Sequence, residues 1–171
     1  GAAYNATSLT VGAGNIYRLG GGANSNNNGA TTGTFHLNSQ VLVGNSSVQF
    51  GIVSNTVQAQ SITPTNGGGT IMLNTPQSFS GGSTINLGQI VELGNSGALG
   101  SGSIIFNGGT LRPNGNLGLA RLIQPLNVTN SITFLGDAII ENNGTADFIL
   151  SGNVALTQDA YGTAQGATRT I

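Results

Sequence analysis

Few residues in this 171-residue chain are able to carry out acid–base or ionic chemistry. Asp, Glu, Lys and Arg together make up 5% of the sequence, all four basic residues are Arg, and there is one His and no Cys. A glycoside hydrolase needs two carboxylates that face one sugar at about 5 to 9.5 Å from each other. The acids do not cluster in the sequence, and we predict no catalytic residue among Glu92, Asp137, Glu141, Asp147 and Asp159.

Each acid has a simpler structural interpretation. Glu92 precedes Arg112 by one period of a repeat of about 20 residues, which predicts an exposed ion pair between neighbouring strands. Asp137 follows Gly136, a usual place for Asp in a turn. Glu141 and Asp147 could approach each other across one strand spacing, which leaves a polysaccharide hydrolase or lyase open as an alternative.

Metal, cofactor, nucleic-acid and membrane functions have little support in the sequence. His36 alternates with Phe35 and Leu37, and no Cys or second His completes a zinc site, so we predict an outward strand residue. The glycine-rich segments lack the Lys and the helix of a phosphate loop. A net charge of −1 without Lys offers nothing to nucleic acid. No apolar run approaches the ~20 residues of a membrane helix. We therefore predict no cofactor, no metal, no nucleic acid and no membrane insertion.

The composition predicts an all-β protein with many turns. Gly accounts for 29 residues, Asn, Thr and Ser are also abundant, and 37% of the chain is hydrophobic. Among the strong helix formers Lys is absent and Glu and Arg are scarce, whereas the abundant Gly and Asn favour turns. Identical Asn side chains on stacked strands can also form hydrogen-bonded ladders.

Short β-type runs alternate with glycine corners, most clearly in residues 67–115. The segments 83–93 (STINLGQIVEL) and 103–113 (SIIFNGGTLRP) read as copies offset by about 20 residues, or by one fewer in the first strand. The segment 131–141 (SITFLGDAIIE) reads as a third copy and the segment 147–156 (DFILSGNVAL) as a weaker fourth one. A period of about 20 residues is too short for a strand–helix–strand unit.

This period predicts one domain over residues 1–171, folded as a single-stranded β-solenoid, that is, a right-handed parallel β-helix with coils of about 20 residues. Alternation along each strand turns Asn86, Glu92 and Arg112 outward. It places Ile85 under Ile104 and Leu87 under Phe106. Pro113 suggests a strand end, because it cannot donate a ladder hydrogen bond. The predicted inward residues are Ile85, Leu87, Val91, Leu93, Ile104, Phe106, Leu111, Ile132 and Phe134.

Residues 78–115, SFSGGSTINLGQIVELGNSGALGSGSIIFNGGTLRPNG, resemble the autotransporter-associated β-strand repeat. Nearly every glycine corner and both paired strands match, although Phe79 replaces the usual Tyr and Pro113 interrupts the second strand. The resemblance implies a right-handed β-helix within a large bacterial surface or secreted protein. It implies no catalytic residues, because the repeat has none.

Three functions are therefore considered. The first is a structural or adhesive scaffold, a rigid segment of a bacterial cell-surface or extracellular fibre protein. The second is a module that presents a polar face to glycans, and the third is the polysaccharide-acting enzyme. The scaffold is favoured, since charge is scarce and Tyr4, Tyr17 and Tyr161 are dispersed. Neither end of the sequence resembles a cap, so we expect neighbouring repeats, or identical subunits stacked end to end, as partners.

Overall fold

The computed structural model describes residues 2–20, 33–51, 69–114, 125–142 and 147–156. Within these ranges the chain is all-β and contains no helix, as the composition predicts. Four residues with ionisable side chains lie outside the described residues: Asp159, Tyr161, Arg121 and Arg169. The strands are β1 (Ala2–Tyr4), β2 (Ile16–Leu19), β3 (Thr34–Leu37), β4 (Val43–Gly44), β5 (Ser47–Phe50), β6 (Thr70–Leu73), β7 (Ser78–Phe79), β8 (Ser83–Asn86), β9 (Ile90–Leu93), β10 (Ile104–Asn107), β11 (Thr110–Pro113), β12 (Leu126–Val128), β13 (Ile132–Phe134), β14 (Ile139–Ile140), β15 (Phe148–Leu150) and β16 (Val154–Leu156).

The strands form two six-stranded parallel sheets. Sheet I has the order β1-β3-β6-β9-β11-β14, and sheet II has the order β2-β5-β8-β10-β13-β16. Two smaller parallel pairs join β4 to β7 and β12 to β15. The chain visits these sheets in turn, so strands adjacent in a sheet are separated by at least one strand of the other sheet.

The inward side chains of sheet II form a continuous apolar column. Phe50 pairs with Ile85, Ile85 with Phe106, and Phe106 with Phe134. All four are at most 2% exposed. The rings of Phe106 and Phe134 stack with centroids 5.1 Å apart and planes 14° from parallel. Such stacking adds to the apolar burial that holds successive strands together.

Sheet I presents a second inward column to the same core. Ile71, Val91 and Leu111 pair in register and are fully buried. Pro113 pairs with Leu93 and is the last residue of β11, as its missing N–H predicts. Eight predicted inward residues are thus confirmed: Ile85, Val91, Leu93, Ile104, Phe106, Leu111, Ile132 and Phe134.

The ninth predicted inward residue, Leu87, is 42% exposed, so that prediction is wrong. Strand β8 ends at Asn86, and Leu87 lies in a turn in which the Gln89 amide donates to the Asn86 carbonyl. Gly88 follows Leu87 with φ +76°, as the third position of such a turn requires. The turn therefore interrupts the alternation that would have placed Leu87 inside.

The expected pairing of β8 with β10 is also wrong, because the corners that follow these two strands differ in length. Three residues separate β8 from β9, and two separate β10 from β11. Asn107 pairs with Asn86 at an offset of 21 along the chain, whereas Arg112 pairs with Glu92 at an offset of 20. The expected first-strand offset of 19 or 20 is therefore wrong, and Ile85 lies beside Phe106 and not beside Ile104. Gly109 allows the later corner to be shorter by one position: a Cβ there would collide with the Ile85 side chain and lie 2.8 Å from the Asn86 carbonyl oxygen.

The repeat spacing holds only in the centre of the described chain. Thr70 pairs with Ile90 at an offset of 20, but Thr34 pairs with Thr70 at an offset of 36. The fourth repeat copy is also aligned differently from the expectation. Its first strand, β15, pairs with β12, and its second strand, β16, pairs with β13, so it matches residues 126–134 and not the third copy itself.

Candidate functional site: the charged cluster and the outer sheet faces

The outward side chains of Glu92 and Arg112 lie side by side on neighbouring strands of sheet I. The two are Cα partners in the β9–β11 ladder. One Arg112 terminal nitrogen lies 2.6 Å from Glu92 Oε1, and Arg112 Nε donates to the same oxygen at 2.8 Å. The predicted ion pair is confirmed. It is less exposed than expected, because the side chains of Arg112 and Glu92 are only 24% and 9% exposed.

Arg112 also reaches the next strand of sheet I. Its second terminal nitrogen donates to Glu141 Oε2 at 2.9 Å, just beyond β14. Glu141 is thus an ion-pair partner of Arg112, a contact that the sequence did not predict. Burial alone would lower the pKa of Arg112, but hydrogen bonds to Glu141 and Glu92, together with their charges, raise it above its ordinary value. The cluster therefore ties three neighbouring strands together.

The remaining described acids and His36 are exposed or partly exposed. Asp137 is exposed in the corner between β13 and β14, as predicted, and Asp147 is exposed just before β15. His36 pairs with Met72 in the β3–β6 ladder, in the column that leads to Glu92. No group of three or more His, Asp or Glu that could hold a metal ion occurs among the described residues.

Asparagine side chains form the predicted ladders beside the strands. Asn38 Nδ2 donates to Asn5 Oδ1 at 2.9 Å, and Asn74 Nδ2 donates to Asn38 Oδ1 at 2.6 Å. Gly94 occupies the next position, and Asn114 Nδ2 reaches across it to Asn74 Oδ1 at 3.3 Å. Asn38 and Asn74 both donate and accept along the stacking direction, so these bonds link neighbouring strands of the sheet and not neighbouring residues of the chain.

Buried amides at the corners were missed by the sequence analysis. Gln77 Oε1 accepts hydrogen bonds from the backbone amides of Val41 and Leu42, both at 3.0 Å. These two residues directly precede β4, the strand that pairs with β7. Asn130 Nδ2 donates to the Gly100 and Gly102 carbonyls. These side chains are buried and replace hydrogen bonds that irregular backbone would otherwise lack. Both lie in short polar stretches between two strands, which is the only sequence signal for them.

Asn86 shows the same behaviour and corrects a further expectation. The alternation predicts an outward side chain, yet Asn86 is 1% exposed, and its Nδ2 donates to the Phe50 carbonyl at 3.0 Å. Asn107 Nδ2 in turn donates to Asn86 Oδ1 at 3.2 Å. A polar end-of-strand residue is thus drawn inward because the corner leaves a backbone carbonyl for it to satisfy.

The outer face of sheet II carries a shallow groove of about 150 Å³. Gly82 and Ser103 directly precede β8 and β10, and they line the groove together with Ser47, the first residue of β5. Thr84 and Ile105, Cα partners on β8 and β10, form a second column of the lining. The lining is therefore uncharged, with hydroxyl groups beside apolar walls.

The described part of the chain contains no helix long and apolar enough to cross a membrane. No family model matches the chain, and no curated protein or solved structure is significantly similar to it.

Proposed function

We propose that the two large sheets and the smaller pairs are faces of one right-handed parallel β-helix. The chain order supports this: it passes from sheet I to a smaller pair, then to sheet II, and back to sheet I, for example through β6, β7, β8 and β9. Parallel connections of this kind are right-handed in nearly all known cases.

The function we infer for this β-helix is that of a rigid, non-catalytic scaffold. It would be a segment of a bacterial cell-surface or extracellular fibre protein, with neighbouring repeats as its partners. The resemblance of residues 78–115 to the autotransporter-associated repeat supports the location. The observation that carries the scaffold function is the continuous inward column from Phe50 to Phe134, which links four consecutive strands of sheet II by packing.

The charged cluster supports the same function. Both Glu92 and Glu141 bind Arg112 through carboxylate oxygens. A hydrolase would instead direct two carboxylates at a sugar, with one free to protonate the leaving oxygen. Glu92 and Glu141 would have to break their ion pairs with Arg112 before either could act as an acid or a base. Their geometry therefore favours a role in holding neighbouring strands together.

A glycan-binding module is the second candidate, and the groove on sheet II is the observation in its favour. Its hydroxyl groups at Ser47, Thr84 and Ser103 can hydrogen-bond to sugars, although a cavity of about 150 Å³ is below the usual lower bound of roughly 300 Å³ for small-ligand pockets. Glycan-array binding by the chain that is lost in Thr84→Lys and kept in Val43→Lys, an exposed position outside the groove lining, would favour this function.

Limited proteolysis tests the scaffold. The chain and its Phe106→Ala variant are incubated with thermolysin, and the fragments are identified by mass spectrometry. A rigid scaffold predicts no cleavage within residues 69–114 of the parent and faster cleavage there in the variant, which loses a core contact. Rapid cleavage of the parent inside β8 to β11 under native conditions would contradict the proposed rigidity.

A further inference from the structure

The groove on the outer face of sheet II runs across the strands and not along them. Its lining includes Ile16 on β2, Gln49 on β5, Thr84 on β8 and Ile105 on β10. These four strands are consecutive neighbours in the sheet. Because neighbouring strands lie about 4.8 Å apart, the lining extends over roughly 14 Å along the stacking direction.

The polar groups of the lining repeat at the spacing of the strands. Gln49 and Thr84 are Cα partners on β5 and β8, and Thr84 in turn pairs with Ile105. Ser47 and Ser103 also line the groove. Ser47 and Thr84 are partly exposed and Ser103 is exposed, so a ligand in the groove can reach their hydroxyl groups. Hydroxyl and amide groups of this kind can both donate and accept hydrogen bonds.

Among the described residues that line the groove, none carries a charge. Arg18, the Cα partner of Gln49 on β2, does not belong to the lining, and its Nη1 donates to the Ala13 carbonyl at 3.1 Å. A carboxylate placed against this lining would lose water without gaining a cation in return. The lining therefore favours uncharged sugars over uronic acids.

The shape of the groove favours a chain of sugars over a single sugar. A cavity of about 150 Å³ is too small to enclose a ligand in the way that small-molecule sites usually do. A chain that lies across the strands gains contacts with each sugar it adds. In an extended β-1,4-linked chain each sugar advances by roughly 5 Å, close to the strand spacing of about 4.8 Å. Successive sugars can therefore meet successive strands in the same way.

We propose that this groove binds a linear, uncharged, β-1,4-linked polysaccharide whose chain lies across strands β2 to β10. This ligand assignment rests on the glycan-binding function proposed for the same groove, and it adds the class of the ligand and its direction. About three sugars occupy the groove. The hydroxyl groups of Ser47, Thr84 and Ser103 hydrogen-bond to the sugar hydroxyls, and Ile16 and Ile105 contact the apolar parts of the rings.

Chemical-shift titration of the full chain by NMR measures both affinity and position. The probes are β-1,4-linked gluco- and manno-oligosaccharides of one, three and six sugars. For at least one series Kd should fall about tenfold from one sugar to three, and by less than about fourfold from three to six, because three sugars already fill the groove. Amide signals of β5, β8 and β10 should shift, whereas those of β9 and β11 in the other sheet should not.

Mannuronate oligosaccharides provide the charged control, because they share the β-1,4 linkage and the length of the manno-oligosaccharides. Each sugar of the mannuronate series carries a carboxylate that the uncharged lining does not compensate. The trisaccharide of this series should bind at least about tenfold more weakly than the better neutral trisaccharide.

A pair of matched variants tests the lining. Thr84→Val keeps the shape of the side chain and removes its hydroxyl group, so it should weaken trisaccharide binding about fivefold, the effect of one lost hydrogen bond. Thr110→Val is the control, since Thr110 is a partly exposed strand residue of sheet I outside the lining. It should leave Kd unchanged.

Four results would overturn the proposal. They are the absence of binding by both neutral series, equal affinity for one sugar and for three, equal binding of the mannuronates, and equal losses in Thr84→Val and Thr110→Val. Equal affinity for one sugar and three would leave the groove a glycan site but exclude a linear chain. Binding of only branched or charged glycans on an array would likewise keep the glycan function and exclude this ligand. None of these results affects the resistance of residues 69–114 to proteolysis, which tests the scaffold separately.

Discussion

The same inward column behaves differently in the middle of sheet II and at its last strand. Phe106 lies between Ile85 and Phe134 and is fully buried, whereas Leu156 has Phe134 as its one ladder partner among the described residues and is 62% exposed. Both residues occupy equivalent positions in the alternation. The difference shows that an inward position contributes fully only when a layer lies on each side of it.

Burial is also determined by different factors in the strands and in the corners. Along the strands, alternation determines which side chains are buried, and the inward positions of neighbouring strands line up in columns. At the corners, burial is decided by single hydrogen bonds, as for Gln77, or by the space that a glycine leaves, as at Gly109. Removal of one side chain should therefore have very different effects at the two kinds of place.

Phe106→Ala should produce the largest effect. The side chain is fully buried and stacks on Phe134, so its removal leaves a cavity and should lower the free energy of unfolding by about 3–5 kcal/mol. Urea unfolding followed by circular dichroism measures the change. A loss below about 1 kcal/mol would mean that the column does not carry the stability.

Gly109→Ala should have the next largest effect. The added Cβ would collide with Ile85 and approach the Asn86 and Gln89 carbonyl oxygens at 2.8 and 3.0 Å. Because two of these contacts are with backbone, relief requires the corner to move, and we expect a loss of about 2 kcal/mol. The matched control is Gly20→Ala, whose position has no heavy atom within 4 Å of the added Cβ and no positive φ, so it should cost little. Equal losses in both variants would refute the crowding argument.

Glu92→Gln should cost about 1 kcal/mol, between the value of an exposed pair and that of a buried one. Glutamine keeps an acceptor for Arg112 Nε but removes the charge, and Arg112 retains Glu141. The effect should shrink at high salt, which unfolding at two salt concentrations measures. Glu141→Gln, at the more exposed end of the cluster, is the control and should cost less. The opposite ranking would contradict the burial of the pair.

Leu156→Ala should have the smallest effect. Since more than half of the side chain is already exposed, its removal should lower the free energy of unfolding by less than about 1 kcal/mol. The same urea experiment provides the number. A loss as large as that of Phe106→Ala would show that a further layer covers this strand in solution.

The sequence predicts the strands well and the corners poorly. Alternation within short runs is a local property, and it correctly places Phe106 and Val91 inside and Arg112 outside. The alternation of side chains does not predict how many residues a corner contains. A glycine can shorten a corner by one residue, and this changes the pairing of the strand that follows it relative to the strand before it. Leu87 was misplaced because its strand ends at Asn86, and Asn86 was misplaced because its side chain turns to the Phe50 carbonyl.

The charged cluster was predictable only in part. The repeat spacing identified the Glu92–Arg112 pair, since the register after the corner keeps that spacing. Glu141 was missed as its third member because its offset from Arg112 along the chain is 29, whereas the offset between Glu92 and Arg112 is 20. Insertions between repeats thus hide contacts that the regular part of the sequence reveals.

Engineered disulfides provide the most direct test of the stacked parallel layers. The chain has no Cys, so a double variant forms at most one internal disulfide. Thr84 and Ile105 are outward Cα partners on β8 and β10, within the reach of a disulfide. Thr84→Cys with Ile105→Cys should therefore oxidise readily to the intramolecular form, as measured by mass spectrometry after thiol labelling. Thr84→Cys with Ser103→Cys, which corresponds to the shorter first-strand offset expected from the sequence, should remain reduced. Efficient oxidation of the second pair and not the first would contradict the register and the layer arrangement that depends on it.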